Sequence, residues 1–152
     1  MTITSSIINF DQEIFDTLWN QCNRLLHKNL GYSVDKFLAE SIFKTSDIVT
    51  LTKDNDVPVT MSACKIYNGV PSFVFCLFGQ DSQGNQDWFN NPDHIALSIQ
   101  EVRNKSLFVD ILVLSDSAMH NGIIKSLSQT HNIKQYNATD THTRLRFINN
   151  GG

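Results

Sequence analysis

Apolar residues at Ile14, Phe15, Leu18, Trp19, Cys22, Leu25 and Leu26 keep the three-to-four spacing of one helical face. Asp11 stands where a side chain can accept from the free N–H groups of that helix's first turn. Phe10 before it and Phe15 after it are spaced for a hydrophobic staple. Gly31 suits the left-handed turn that ends such a helix. A second helix is expected from Ser33, with Val34, Phe37, Leu38 and Ile42 facing inward.

Strand patterns follow. Residues 48–52 alternate apolar with polar, and Asp54-Asn55-Asp56 reads as a turn. Val57, Val59, Met61 and Ala63 share a face, after which the apolar phase moves to Cys64 and Ile66. A slip of one residue predicts a β-bulge there. Asn68-Gly69 is a hairpin signal, because both residues tolerate positive φ. Residues 72–78 are apolar on both faces and read as a central strand. The stretch 79–90 is polar. Asn91, Pro92 and Asp93 then suit the start of a third helix, with Ile95, Ala96, Ile99 and Val102 inward. Residues 107–114 form a second buried strand interrupted by Asp110. Ser115 or Asp116 is expected to cap a fourth helix that buries Met119, Ile123 and Leu127. Residues 133–137 and 141–148 read as two strands joined at 138–140, the last with His142, Arg144 and Arg146 on one face.

Hairpins make antiparallel pairs, and strand–helix–strand crossovers make parallel ones. The predicted class is therefore α/β: about four helices around a six- to seven-stranded, mostly antiparallel mixed sheet, in one domain over 1–152. At 152 residues the chain is long enough to bury a core without disulfide or metal. Three cysteines, Cys22, Cys64 and Cys76, lie far apart in apolar patterns and read as buried thiols. Residues 1–100 hold 6 basic and 11 acidic groups, and residues 101–152 hold 6 and 4. Neither part is basic enough to predict a nucleic-acid partner. No apolar run reaches membrane-spanning length, and no leader is visible at the start. The expected location is the cytoplasm, or a virion for a chain of phage origin.

The order of these elements resembles the GNAT-type N-acetyltransferase fold. Asn121, Ile124, Leu127, Ser128, Thr130, Asn132 and Ile133 fall on that family's fourth-helix pattern, N-x-x-A-x-x-F-Y-x-K-x-G-F. The resemblance puts Ser128 where the family has a tyrosine that serves as general acid. It puts Asn132 where the family has a left-handed glycine. The family's coenzyme A turn, [Q/R]-x-x-G-x-[G/A], is not matched by Gly79-Gln80-Asp81-Ser82-Gln83-Gly84-Asn85. Glycines there let backbone N–H groups approach phosphate at a helix N-terminus; Asp81 opposes it. A looser resemblance is to GNAT-like internal virion proteins of short-tailed phages.

Residue chemistry adds little. His27, His94, His120, His131 and His142 show no metal-ligand spacing. No nucleophile elbow or phosphate loop is present. Asp110 is a general base, a residue pointing out at a strand end, or the partner of Arg144 or Arg146, and pairing is the expected role. Trp88 and Phe89 in a polar loop are the candidate partner contact. No catalytic residue, metal or cofactor is assigned. The function expected is a non-catalytic interaction or assembly protein with a protein partner, such as other virion subunits. The alternatives are a divergent acetyl-CoA-dependent N-acetyltransferase and a small-ligand binding module. An acetyltransferase should show an open cleft between strands 72–78 and 107–114.

Overall fold

The computed structural model describes residues 3–30, 35–79, 93–116, 118–128 and 131–149. The chain runs β1 (Ile3–Ile8), α1 (Gln12–Leu30), α2 (Lys36–Lys44), β2 (Ile48–Asp54), β3 (Val57–Tyr67) and β4 (Val70–Phe78). It continues with α3 (Asp93–Arg103), β5 (Phe108–Leu114), α4 (Ala118–Leu127), β6 (His131–Asn137) and β7 (His142–Asn149). The strands form one sheet in the order β1-β2-β3-β4-β5-β7-β6. Every neighbouring pair is antiparallel except β4 with β5.

Local chemistry explains most element ends. Asp11 caps α1, its carboxylate accepting from Ile14 N–H at 3.0 Å. The Phe10 and Phe15 rings sit 5.8 Å apart, as the staple requires. Asn55 and Asp56 at φ 51° and 68°, and Asn68 and Gly69 at φ 51° and 81°, make the two hairpin turns. Two successive positive φ values match the twist of flanking strands.

β1 was not expected. Ser5 and Ser6 interrupt its apolar pattern, so the strand period is hidden. Ser5 faces a hydroxyl cluster: Thr52 Oγ1 and Ser98 Oγ are 2.9 Å apart, and Ser5 Oγ is 3.3 Å from each. The strand is thus held by the β2 ladder, from Ile3↔Asp54 to Ile8↔Val49, and by polar contacts.

Two apolar cores lie on opposite faces of the sheet. Phe15, Leu18, Phe43, Leu51, Met61 and Phe75 join α1 and α2 to β2, β3 and β4. Phe73, Ile99, Val109, Ile111, Ile123 and Phe147 join α3 and α4 to β4, β5 and β7. The first core contains no residue of β5, β6 or β7. On that face the second half of the sheet has no apolar cover among the described residues, and Phe108, Leu112 and Tyr136 are exposed.

α2 corrects the expected phase. Ser33 and Val34 lie outside the described residues. Asp35 is the cap, accepting from Leu38 N–H at 2.7 Å. Ala39 and Phe43 face inward with Ile42 half-buried, whereas Phe37 is 82% and Leu38 48% exposed. Phe37 stands about 200° around the helix from Ala39. Phe37→Ser should therefore change the denaturant-derived stability by no more than about 0.5 kcal/mol. A loss of about 3 kcal/mol, as for a core phenylalanine, would place α2 the other way round.

The predicted bulge is present, but its extra residue is on the neighbouring strand. The β3–β4 register shifts between Ala63↔Phe75 and Cys64↔Phe73, leaving Val74 as the additional residue on β4. At this level β3 keeps its alternation, Ala63 belonging to one core and Cys64 to the other; its own irregularity lies earlier, where the β2–β3 register shifts between Thr52↔Thr60 and Lys53↔Pro58. Both faces of β3 are covered here, and that produced the apparent phase change. In β4, Phe73 and Cys76 face the α3 side, and Val74 and Phe75 both face the α1 side.

Candidate functional site

The bulge sits beside the one parallel pair. The β4–β5 ladder consists of Ser72↔Asp110 and Phe73↔Ile111. It stops at Val74, although β4 continues to Phe78 and β5 to Leu114. A bulge bends its strand and ends regular pairing. Here it parts the two strands at the sheet's centre. A cavity of about 410 Å³ opens at the junction, lined by Tyr67, Phe73, Val74, Asp110, Leu112 and Arg144. It gives onto the face that α1 and α2 leave uncovered. At the far end of β4, Gly79 N–H donates to Val59 O at 2.7 Å. A Cβ on Gly79 would run into Leu18 and Gln21 of α1.

Asp110 is paired, as expected, and its partner is Arg146. The two are directly opposite across β5 and β7. Arg146 Nε donates to Oδ1 at 2.8 Å and a terminal nitrogen donates to Oδ2 at 2.9 Å. This two-point geometry satisfies a carboxylate that is only 2% exposed. The hydrogen bond to Asp110 holds the Arg146 pKa above its ordinary value, against burial. The guanidinium also lies 5.6 Å from the Phe108 ring centroid and 5.9 Å from that of Tyr136. An acid held in this way is a structural element of the cleft wall and has no free base to offer. Arg144, next on the same face, packs 5.6 Å from the Tyr136 ring.

A second cavity, about 490 Å³ and polar, lies between the β5–α4 turn and the β6–β7 tip. Buried His120 lines it with Ser115, Asp116, Gln135 and Thr143. Asp116 N–H donates to His120 Nδ1 at 2.9 Å. The other ring nitrogen therefore carries hydrogen and donates to Gln135 Oε1 at 3.2 Å. Of the two expected α4 caps, Ser115 bonds across to β7 and Asp116 lacks the extended backbone that a cap residue takes. The Ser115 hydroxyl is 2.7 Å from that of Thr143, and Asp116 is left-handed at φ 59°.

The remaining candidates are dispersed. Burial pushes the Cys76 thiol up to about 12 and Cys64 further still, so neither is a nucleophile. Among the described residues no group of three His, Cys, Asp or Glu side chains can hold a metal ion. The side chains of Cys22, His27, His94 and Met119 lie outside the described residues, as do Trp88 and Phe89. Ser128 is exposed just beyond α4, with its hydroxyl 3.5 Å from Lys125 O. Asn132 does not make the left-handed turn that the family resemblance implied. It lies within β6, paired with Ile148, so its backbone is extended. Tyr67, Val74 and Leu112 were not singled out by the sequence as site residues. The phase change at Cys64 was the one signal that pointed near them. No described helix is long and apolar enough to cross a membrane.

His131 is buried against Phe147, its ring 6.3 Å away and edge-on. Burial first, then the Arg103 charge, holds its pKa below the usual histidine value of 6.5. The unfolded chain thus takes up a proton at a pH where the folded chain does not. Stability is full above the unfolded pKa and falls as pH drops through about 6.5 toward the folded value. His131→Phe should flatten this part of the stability-against-pH curve, read from thermal midpoints between about pH 7 and pH 5. An unchanged slope would assign the acid sensitivity to another group.

No protein-family profile matches the chain, and no curated protein matches it in sequence. Solved structures match it throughout. An N-acetyltransferase from Staphylococcus aureus superposes with TM-score 0.61 at 14% identity, covering 97% of this chain and 98% of that one. The ribosomal-protein-S18-alanine N-acetyltransferase from Escherichia coli gives TM-score 0.57 at 9% identity, covering 95% and 92%. A Bacillus subtilis acetyltransferase in complex with CoA gives 0.59 at 8%, covering 97% and 99%. The fold is of the GNAT N-acetyltransferase type, as the element order led one to expect.

Proposed function

We propose that this chain is a divergent acetyl-CoA-dependent N-acetyltransferase, with residues 1–152 acting as one unit. The carrying observation is the opening between β4 and β5, where the ladder ends at Phe73↔Ile111 beside the Val74 bulge. Strand edges that no longer pair with each other can bond an extended chain lying between them. A pantetheine arm is such a chain, and residues 74–78 with 112–114 would hold it. Acetyl-CoA, when bound, supplies an activated acyl group. The face of β5, β7 and β6, uncovered among the described residues, would give an acceptor amine access to the same opening. Tyr67 and Ser72 line that cavity, whereas the Ser128 hydroxyl turns back to its own helix.

A second reading keeps the fold as a non-catalytic interaction domain, in a virion or another assembly. It is favoured by the position of Ser128 and by Phe37, which projects from α2 with no cover among the described residues. Calorimetric titration with acetyl-CoA separates the two. Stoichiometric micromolar binding is expected. Absence of binding at millimolar ligand would overturn the enzyme proposal and leave the interaction reading.

A further inference from the structure

The cavity at the β4–β5 junction carries a positive charge that nothing described offsets. On the open face, β5 presents Phe108, Asp110 and Leu112. β6 presents Asn132, Lys134 and Tyr136, and β7 presents His142, Arg144, Arg146 and Ile148. Asp110 is the one carboxylate among these residues, and Arg146 holds both its oxygens. Asp140 lines the other cavity. Arg144 lines the first cavity and makes no ion pair among the described residues. Its guanidinium packs on Tyr136, a contact that orients the planar fork, and no hydrogen bond to its edge is made among the described residues.

We infer that Arg144 is an anion anchor, and that the acceptor taken here is an amine bearing a carboxylate. The inference rests on the acetyl-transfer reading for the word acceptor, and on geometry for the site. Arg144 stands opposite Leu112 in the β5–β7 register, and Leu112 is the β5 residue just past the last paired position. Strands lie about 4.8 Å apart, so Arg144 is roughly 5–10 Å from the opening between β4 and β5. An amine placed at the opening would reach Arg144 with a carboxylate a few bonds away. A guanidinium matches a carboxylate at two points, and the apolar stem of such a ligand would cover Leu112 and Val74.

The probes are ε-aminocaproate and its primary amide, which share length and ammonium group and differ in that only the first carries a carboxylate. Their binding to the full chain is measured by ligand-observed NMR, with and without acetyl-CoA. The acid should bind about tenfold more tightly than the amide or better, the scale of one charge-assisted contact. Arg144→Ala should reduce that preference to less than about twofold while leaving the amide's affinity and the thermal midpoint unchanged, because Arg144 is exposed. Failure of both probes to bind, equal affinities in the parent protein, or a preference that survives in Arg144→Ala would each overturn the inference. Turnover is scored separately. Acid-selective binding without acetylation would sink the transferase proposal and leave the anion site standing.

Discussion

Arg146→Ala should lower the stability of the protein by about 3–5 kcal/mol, the range for removing one member of a buried ion pair. The carboxylate of Asp110 is 2% exposed, and its partner's side chain is 29% exposed. Removing the guanidinium leaves a largely buried carboxylate at the sheet's centre without either of its two donors. The reverse change, Asp110→Ala, leaves a guanidinium that can still turn to solvent over Phe108 and Tyr136. It should cost less, about 1–3 kcal/mol. Joint replacement, Asp110→Leu with Arg146→Met, removes both desolvation penalties and should recover most of the loss. Urea unfolding of the four proteins compares the three changes with the parent. An Arg146→Ala protein within about 1 kcal/mol of the parent would show that Asp110 finds water or another donor, and the cleft wall would need another account.

Deletion of Val74 should leave the fold standing and abolish acetyl-CoA binding. Losing one residue from a buried strand ordinarily turns every later side chain to the wrong face. Here Val74 is the surplus residue of the bulge. Phe73 and Cys76 already face one core, with Phe75 between them facing the other. Removing Val74 restores plain alternation from Ser72 to Leu77. The β3–β4 register then becomes continuous to Tyr67↔Val70, and β4 has no reason to bend from β5. The thermal midpoint should move by only a few degrees, about 1–2 kcal/mol, while affinity for acetyl-CoA falls a hundredfold or more. Collapse of the fold would mean the bulge is structural. Full retention of binding would mean the opening between the strands is not the coenzyme's place.

Much of the fold was legible because local chemistry and hydrophobic period agreed. Asp11 and Phe10 mark the start of α1. Asn68-Gly69 marks the central hairpin. Ile95, Ala96, Ile99 and Val102 mark the inner face of α3. β1 was not legible, because its central serine is satisfied by hydroxyls of Thr52 and Ser98 from distant parts of the chain. The phase of α2 was not legible either. Two apolar faces were available along it, and packing against Phe15 and Phe75 selected the one through Phe43.

The candidate site divides in the same way. Asp110 within an apolar strand announced that a cationic partner was required, since a buried charge is costly unpaired. Which arginine would answer was set by strand register, which a sequence does not print. The slip at Cys64 marked the level of the bulge, and only the β3–β4 pairing showed that the surplus residue is Val74.

The sequence by itself determined the elements other than β1 and their order, which resembles the GNAT type, because capping, turn chemistry and period act over a few residues. The tertiary structure alone decided where β4 leaves β5, which face of the sheet each of the two described cores occupies, and that Arg144 and Tyr67 meet at one cavity. Those features depend on pairing between strands far apart in the chain, and such pairing is set by the summed burial of two cores and not by any local motif.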